Sequence, residues 1–154
     1  MKNFFKKFSL VLTLTILIST IVLLNTNSIN ASAATNGLTI TQVGDTKDYG
    51  YNTYKAINLQ NVKGIGKTYT VNTKIASLQF RVPSNYHTGA KLWVNGSCVS
   101  TNPRCIGFKN LGDYCYVTLL VTNLYPNMIN TVEVKDGGVG CPIASDSINI
   151  RIAN

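Results

Sequence analysis

Along most of this chain apolar and polar residues alternate at every second position. Leu38-Thr39-Ile40-Thr41-Gln42-Val43 does so, and Lys67-Thr68-Tyr69-Thr70-Val71-Asn72 does so again after the turn Gly64-Ile65-Gly66. A period of two puts alternate side chains on opposite faces of an extended strand. Residues 75–82 form a further run that stops at Pro83, which has no N–H to give to a ladder. Residues 91–94 end in Asn95-Gly96, a dipeptide suited to a two-residue hairpin turn. Residues 114–124 are the longest apolar run outside the first thirty residues, and 131–135 alternate into Asp136-Gly137-Gly138. Residues 147–153 carry Ile148, Ile150 and Ile152 on one face. With the run at 54–59 the pattern predicts about eight strands and no helix.

Strands at this spacing, with turn signals between them, predict an all-β fold. The expected architecture is an antiparallel β-sandwich, immunoglobulin-like or jelly-roll. Tyr69, Phe80, Trp93 and Tyr116 lie in the strand runs and are expected in its core.

The start of the chain reads differently. Lys2, Lys6 and Lys7 precede an apolar run from Phe8 to Leu24, and Ala31-Ser32-Ala33-Ala34 follows a polar stretch. A basic segment, an apolar segment and small residues, in that order, make a secretory signal peptide. Residues 1–34 are therefore expected to be removed, after Ala33 or Ala34. Residues 35–154 then form a single secreted, extracellular domain with no stable membrane insertion.

Removal of the leader changes the charge. The whole chain carries a formal +8, but without Lys2, Lys6 and Lys7 the remainder carries +5. Its basic residues are scattered singly, whereas a nucleic-acid footprint gathers them on one face. No nucleic-acid partner is expected. An attraction to anionic wall polymers or lipid headgroups fits the sign of the charge.

Four cysteines, Cys98, Cys105, Cys115 and Cys141, fall in the exported part. An even number in an oxidising compartment implies disulfides. Of three connectivities the favoured one is Cys98–Cys105, closing a hairpin-like loop, with Cys115–Cys141. No Cys-x-x-Cys pair occurs and His87 is the single histidine, so no metal site and no cofactor are expected.

Candidate catalytic groups are few. Any Ser/His/Asp or Cys/His arrangement must use His87, which lies in a polar turn and is expected to face solvent. Glu133 is the one glutamate, and Val132 and Val134 on either side turn it outward. Asp45, Asp48, Asp113, Asp136 and Asp146 are expected to be turn formers in loops.

The aromatic residues offer more. Tyr49, Tyr51 and Tyr54 cluster around Gly50, and Tyr49 and Tyr51 are expected to share one exposed face of an extended segment. Tyrosine has an apolar face and a polar tip, which suits stacking on sugars and contact with proteins. Arg104 lies at the tip of the 98–105 loop beside Pro103. These features predict a secreted, non-catalytic binding protein for a cell-surface glycan or wall polymer, with Tyr49, Tyr51, Tyr54 and Arg104 as binding residues. The alternative is a protein-interaction factor, an inhibitor or an antimicrobial or toxin-like molecule, that presents Arg104 to another secreted or surface protein. A small hydrolase using His87 ranks third.

Two resemblances accompany this reading. Lys91-Leu92-Trp93-Val94-Asn95-Gly96, then Tyr116-Val117-Thr118-Leu119-Leu120-Val121 and Asn130-Thr131-Val132-Glu133-Val134, resemble the second half of many secreted β-sandwich binding domains. The signal peptide, the opening LTITQVGDTKDYGYNTYKAI and the closing SDSINIRI resemble the small secreted YolA-like proteins of Gram-positive bacteria and their phages. That family has no established activity, so the resemblance implies location and fold alone.

Overall fold

The computed structural model describes residues 37–64, 66–85, 87–137 and 143–153. The leader assigned to 1–34 lies outside them, as does Cys141. Ten strands follow in order: β1 (Thr39–Asp48), β2 (Tyr54–Asn61), β3 (Thr68–Val71), β4 (Ala76–Pro83), β5 (Lys91–Val94), β6 (Ser97–Ser100), β7 (Cys105–Asn110), β8 (Tyr114–Val121), β9 (Ile129–Asp136) and β10 (Ala144–Ile152). They form two five-stranded sheets, ordered β2-β1-β4-β8-β7 and β3-β10-β9-β5-β6. Neighbours are antiparallel except β3, which runs parallel to β10. No helix occurs among the described residues.

All eight runs read from alternation are strands. The two additional ones, β6 and β7, are edge strands with one hydrogen-bonded neighbour each. Their residues are half-buried or exposed throughout. A strand with no buried face has no reason to alternate, so its sequence carries no signal of period two. The Asn95-Gly96 turn forms as expected: Val94 pairs with Ser97, and the two turn residues have φ of 51° and 79°.

One core gathers side chains from both sheets. β4 contributes Ala76, Leu78, Phe80 and Val82, and β8 contributes Cys115, Val117, Leu119 and Val121. Ile148, Ile150 and Ile152 of β10 are all buried, as their spacing predicts. Each Val, Leu or Ile removed from water in this way stabilises the fold by roughly 1.5–3 kcal/mol. Tyr69 and Phe80 join this core, but Trp93 and Tyr116 do not. Leu92 and Val94 occupy the core side of β5, and Cys115 and Val117 that of β8. Alternation therefore turns Trp93 and Tyr116 outward, where both are half-buried.

Three aspartates expected in loops are instead buried and tie elements together. Asp146 lies within β10, and its Oδ2 accepts from the Ile40 amide of β1 at 2.8 Å, linking the two sheets. Asp45 in β1 accepts from the Asn72 amide (2.5 Å) beyond β3, and from the side chains of Asn58 (2.8 Å) and Asn72 (3.1 Å). Asp136 ends β9 and holds the segment between β4 and β5. A buried carboxylate is tolerated where backbone amides satisfy its lone pairs, and no local pattern announces that arrangement.

The cysteines also depart from expectation. Cys98 and Cys105 are exposed free thiols, and Cys115 is a buried one. β6 and β7 do not form a hairpin, because residues 101–104 carry the chain from one sheet to the other. No disulfide joins the described cysteines, and the Cys115–Cys141 pairing falls outside the described residues.

Candidate functional site

The loop between β1 and β2 is set by local chemistry. Asp48 Oδ1 accepts from the Gly50 amide at 2.8 Å, the Tyr49 amide donates to Thr53 O at 2.9 Å, and the Thr53 amide donates to Gly50 O at 2.8 Å. Gly50, Tyr51 and Asn52 all take positive φ, at 82°, 48° and 62°. For a bulky side chain such as Tyr51 this conformation costs roughly 1–2 kcal/mol. The loop therefore does not place Tyr49 and Tyr51 on one extended face; it turns Tyr51 outward. Tyr51 is 101% exposed and Tyr49 54% exposed. Lys47 Nζ lies 5.1 Å from the centre of the Tyr49 ring.

Tertiary structure completes this end. The sheet holding β1 curls until its two edge strands, β2 and β7, approach each other. Arg104, just before β7, then reaches the loop. Its guanidinium carbon lies 5.0 Å from the centre of the Tyr54 ring, and its Nη2 donates to Asn52 O. All four expected binding residues thus belong to one end of the molecule. Tyr54 and Arg104 engage each other, while Tyr49 and Tyr51 remain open to a ligand. The alternation-based reading missed Lys47, the second cation beside these rings, although it precedes Tyr49 by two positions.

His87 departs from the exposed turn residue expected of it. Its Nδ1 lies 2.6 Å from Asp136 Oδ2, its ring stacks on Phe108 with centroids 5.6 Å apart, and its side chain is 23% exposed. Asp136 Oδ1 also accepts from the amides of Thr88 (3.1 Å), Gly89 (3.1 Å) and Gly137 (2.7 Å). A carboxylate that orients an imidazole is part of a hydrolytic triad, but the triad also needs a nucleophile beside the second ring nitrogen. Among the described residues Asp136 is the only hydrogen-bond partner of the imidazole. With three backbone amides on the same carboxylate, the arrangement is a clamp for residues 87–89.

Asp45 and Asp146 show opposite electrostatics. Burial works to raise the pKa of Asp45, but hydrogen bonds from Asn58, Asn72 and Thr73 outweigh it and hold the carboxyl below the usual aspartate value. At Asp146 burial dominates and pushes the pKa up, against the Ile40 and Ser147 amides. Among the described residues no group of three or more His, Cys, Asp or Glu is placed to hold a metal ion.

Compared with family models, with curated proteins and with solved structures, the chain matches none.

Proposed function

We propose that this chain is an exported, non-catalytic β-sandwich, of the immunoglobulin-like or jelly-roll kind, that binds a cell-surface glycan or wall polymer. The observation that carries the reading is the joining of Arg104 to Tyr54 and Asn52 beside the open Tyr49 and Tyr51 rings. Exposed aromatic faces held on a braced loop suit the apolar faces of sugar rings, and bracing before binding lowers the ordering cost. A strained, unpacked Tyr51 returns no stability to the fold, which supports selection for contact with something else. Engagement of Arg104 with the loop weighs against a free arginine anchor presented to a protein partner, the runner-up reading. Export would also place Cys98 and Cys105 in an oxidising medium, where a bridge would join the edges of the two sheets.

The test is sedimentation with purified cell walls and a glycan array, comparing the wild type with Tyr51→Ala. Wild-type retention that is lost in the variant is the expected result. A wild type that neither sediments with walls nor binds any glycan defeats the reading.

A further inference from the structure

The outer face of the curled sheet carries a second surface away from the tyrosine loop. Directly paired residues share a face of a sheet. Gln79 of β4 pairs with Gln42 of β1 and Thr118 of β8; Gln42 pairs with Asn61 of β2, and Thr118 with Gly107 of β7. One row thus crosses all five strands on the side opposite Leu78 and Phe80. Its side chains are amides and hydroxyls already oriented by one another. Gln42 Nε2 donates to Asn61 Oδ1 at 3.0 Å, Gln79 Nε2 to Thr118 Oγ1 at 3.4 Å, and Thr41 Oγ1 to Gln79 Oε1 at 3.2 Å. The neighbouring row holds Arg81, Tyr116 and Lys109, again in direct register.

Beside these rows lies a cleft of ≈ 390 Å³, with Gln79, Thr118, Tyr116 and Lys109 in its lining together with the exposed Phe108 and Leu111; Arg81, paired with Tyr116, stands next to it rather than in it. Gly107 keeps one wall low, since a Cβ there would meet Thr118 Oγ1 at 3.3 Å. Amides and hydroxyls in fixed positions match a polyhydroxylated chain, and the half-buried Tyr116 ring offers an apolar face. The charges narrow the choice. No acid lines the cleft, and neither Lys109 nor Arg81 takes part in an ion pair among the described residues. Arg81 sits 5.1 Å from the Tyr114 ring, and its buried Nε has no hydrogen-bond partner. Uncompensated positive charge beside a cleft that combines oriented polar groups with apolar faces favours a negatively charged occupant.

We propose that this cleft takes an extended acidic polysaccharide, with Lys109 and Arg81 supplying the charge that selects it over a neutral one. The proposal rests on the glycan-binding reading above and assigns the chemical class of the chain.

Calorimetric titration of the full chain with polygalacturonate, dextran sulfate and neutral dextran tests it. Lys109→Gln, at an exposed position, avoids a folding defect; Arg81→Gln is the second variant. Lys91→Gln, on the other sheet, controls for net charge, and Tyr51→Ala reports on the loop. Binding of either acidic polymer, weakened about tenfold by Lys109→Gln and unchanged by Lys91→Gln, is the expected result. The two acidic polymers tell carboxylate from sulfate as the recognised group. Equal losses in Lys109→Gln and Lys91→Gln would mean attraction by net charge and overturn the cleft. Dextran bound as tightly as the acidic chains, and lost only in Tyr51→Ala, overturns the cleft and leaves the loop reading standing. No binding to any of the three by the wild type, together with no glycan binding on the array, overturns both.

Discussion

Arg104 and Tyr54, fifty positions apart in the sequence, meet with the guanidinium carbon 5.0 Å from the ring centre. One belongs to the approach to β7 and the other to the start of β2, the opposite edges of a single sheet. The contact exists because that sheet curls.

Replacement of Arg104 by Ala removes the ring contact and the hydrogen bond to Asn52 O. At an exposed site a cation–π contact contributes about 0.5–1 kcal/mol and a solvent-exposed hydrogen bond about 1 kcal/mol, so the global unfolding free energy should fall by no more than about 2 kcal/mol. The larger effect is expected locally, as faster amide exchange of Gly50 and Thr53, whose amides make the loop's own hydrogen bonds. Unchanged exchange there would show that the loop holds itself without the arginine.

The Asp136 clamp separates a structural from a catalytic role. Asp136→Ala strands three buried or half-buried amides and the His87 ring, and should cost about 3 kcal/mol or more in urea unfolding. His87→Ala leaves the amide bonds in place and should cost no more than about 1–2 kcal/mol. Equal costs would show that the imidazole, not the backbone, is what Asp136 holds.

Asp45 and Asp146 predict opposite pH dependences. The pKa of Asp45 is lowered on folding, so its contribution is present above the unfolded value of about 3.9 and is lost as pH falls through the folded value. That of Asp146 is raised, chiefly by burial, so its contribution is present below about 3.9 and is lost as pH rises through the folded value. Urea midpoints measured across the acid range should therefore fall less steeply with acidification in Asp45→Asn than in wild type. In Asp146→Asn, the loss on raising the pH from about 4 should be reduced. The same slopes in wild type and both variants would show that neither carboxylate governs acid stability.

The thiols give a prediction by mass. Cys98 and Cys105 are exposed and Cys115 is buried. In the reduced protein iodoacetamide should modify Cys98 and Cys105 at once and Cys115 only on unfolding. Protein recovered from culture medium should be lighter than its reduced form by two hydrogens for each bridge formed on export. Identical masses before and after reduction would remove the staple from the account of the exported form.

Much of the fold was legible in the residues alone. Ile148, Ile150 and Ile152, or Leu78, Phe80 and Val82, state a buried face by their spacing, because a strand with one face in the core must alternate. Asn95-Gly96 states its turn because the backbone there needs two residues that accept positive φ. The set Tyr49, Tyr51, Tyr54 and Arg104 could be chosen one residue at a time. Their meeting at one end could not, since it depends on how far a sheet curls. Equally, nothing beside Asp136 or Asp146 marks them as buried: their amide partners are 47 to 106 positions away or on the next residue only. Outside the edge strands β6 and β7, local sequence determined which residues extend, because alternation is a property of neighbours along the chain. The pairing of edges, the burial of carboxylates and the cleft over Gln79 and Thr118 were decided by tertiary structure, because they arise where distant strands are brought within hydrogen-bond reach.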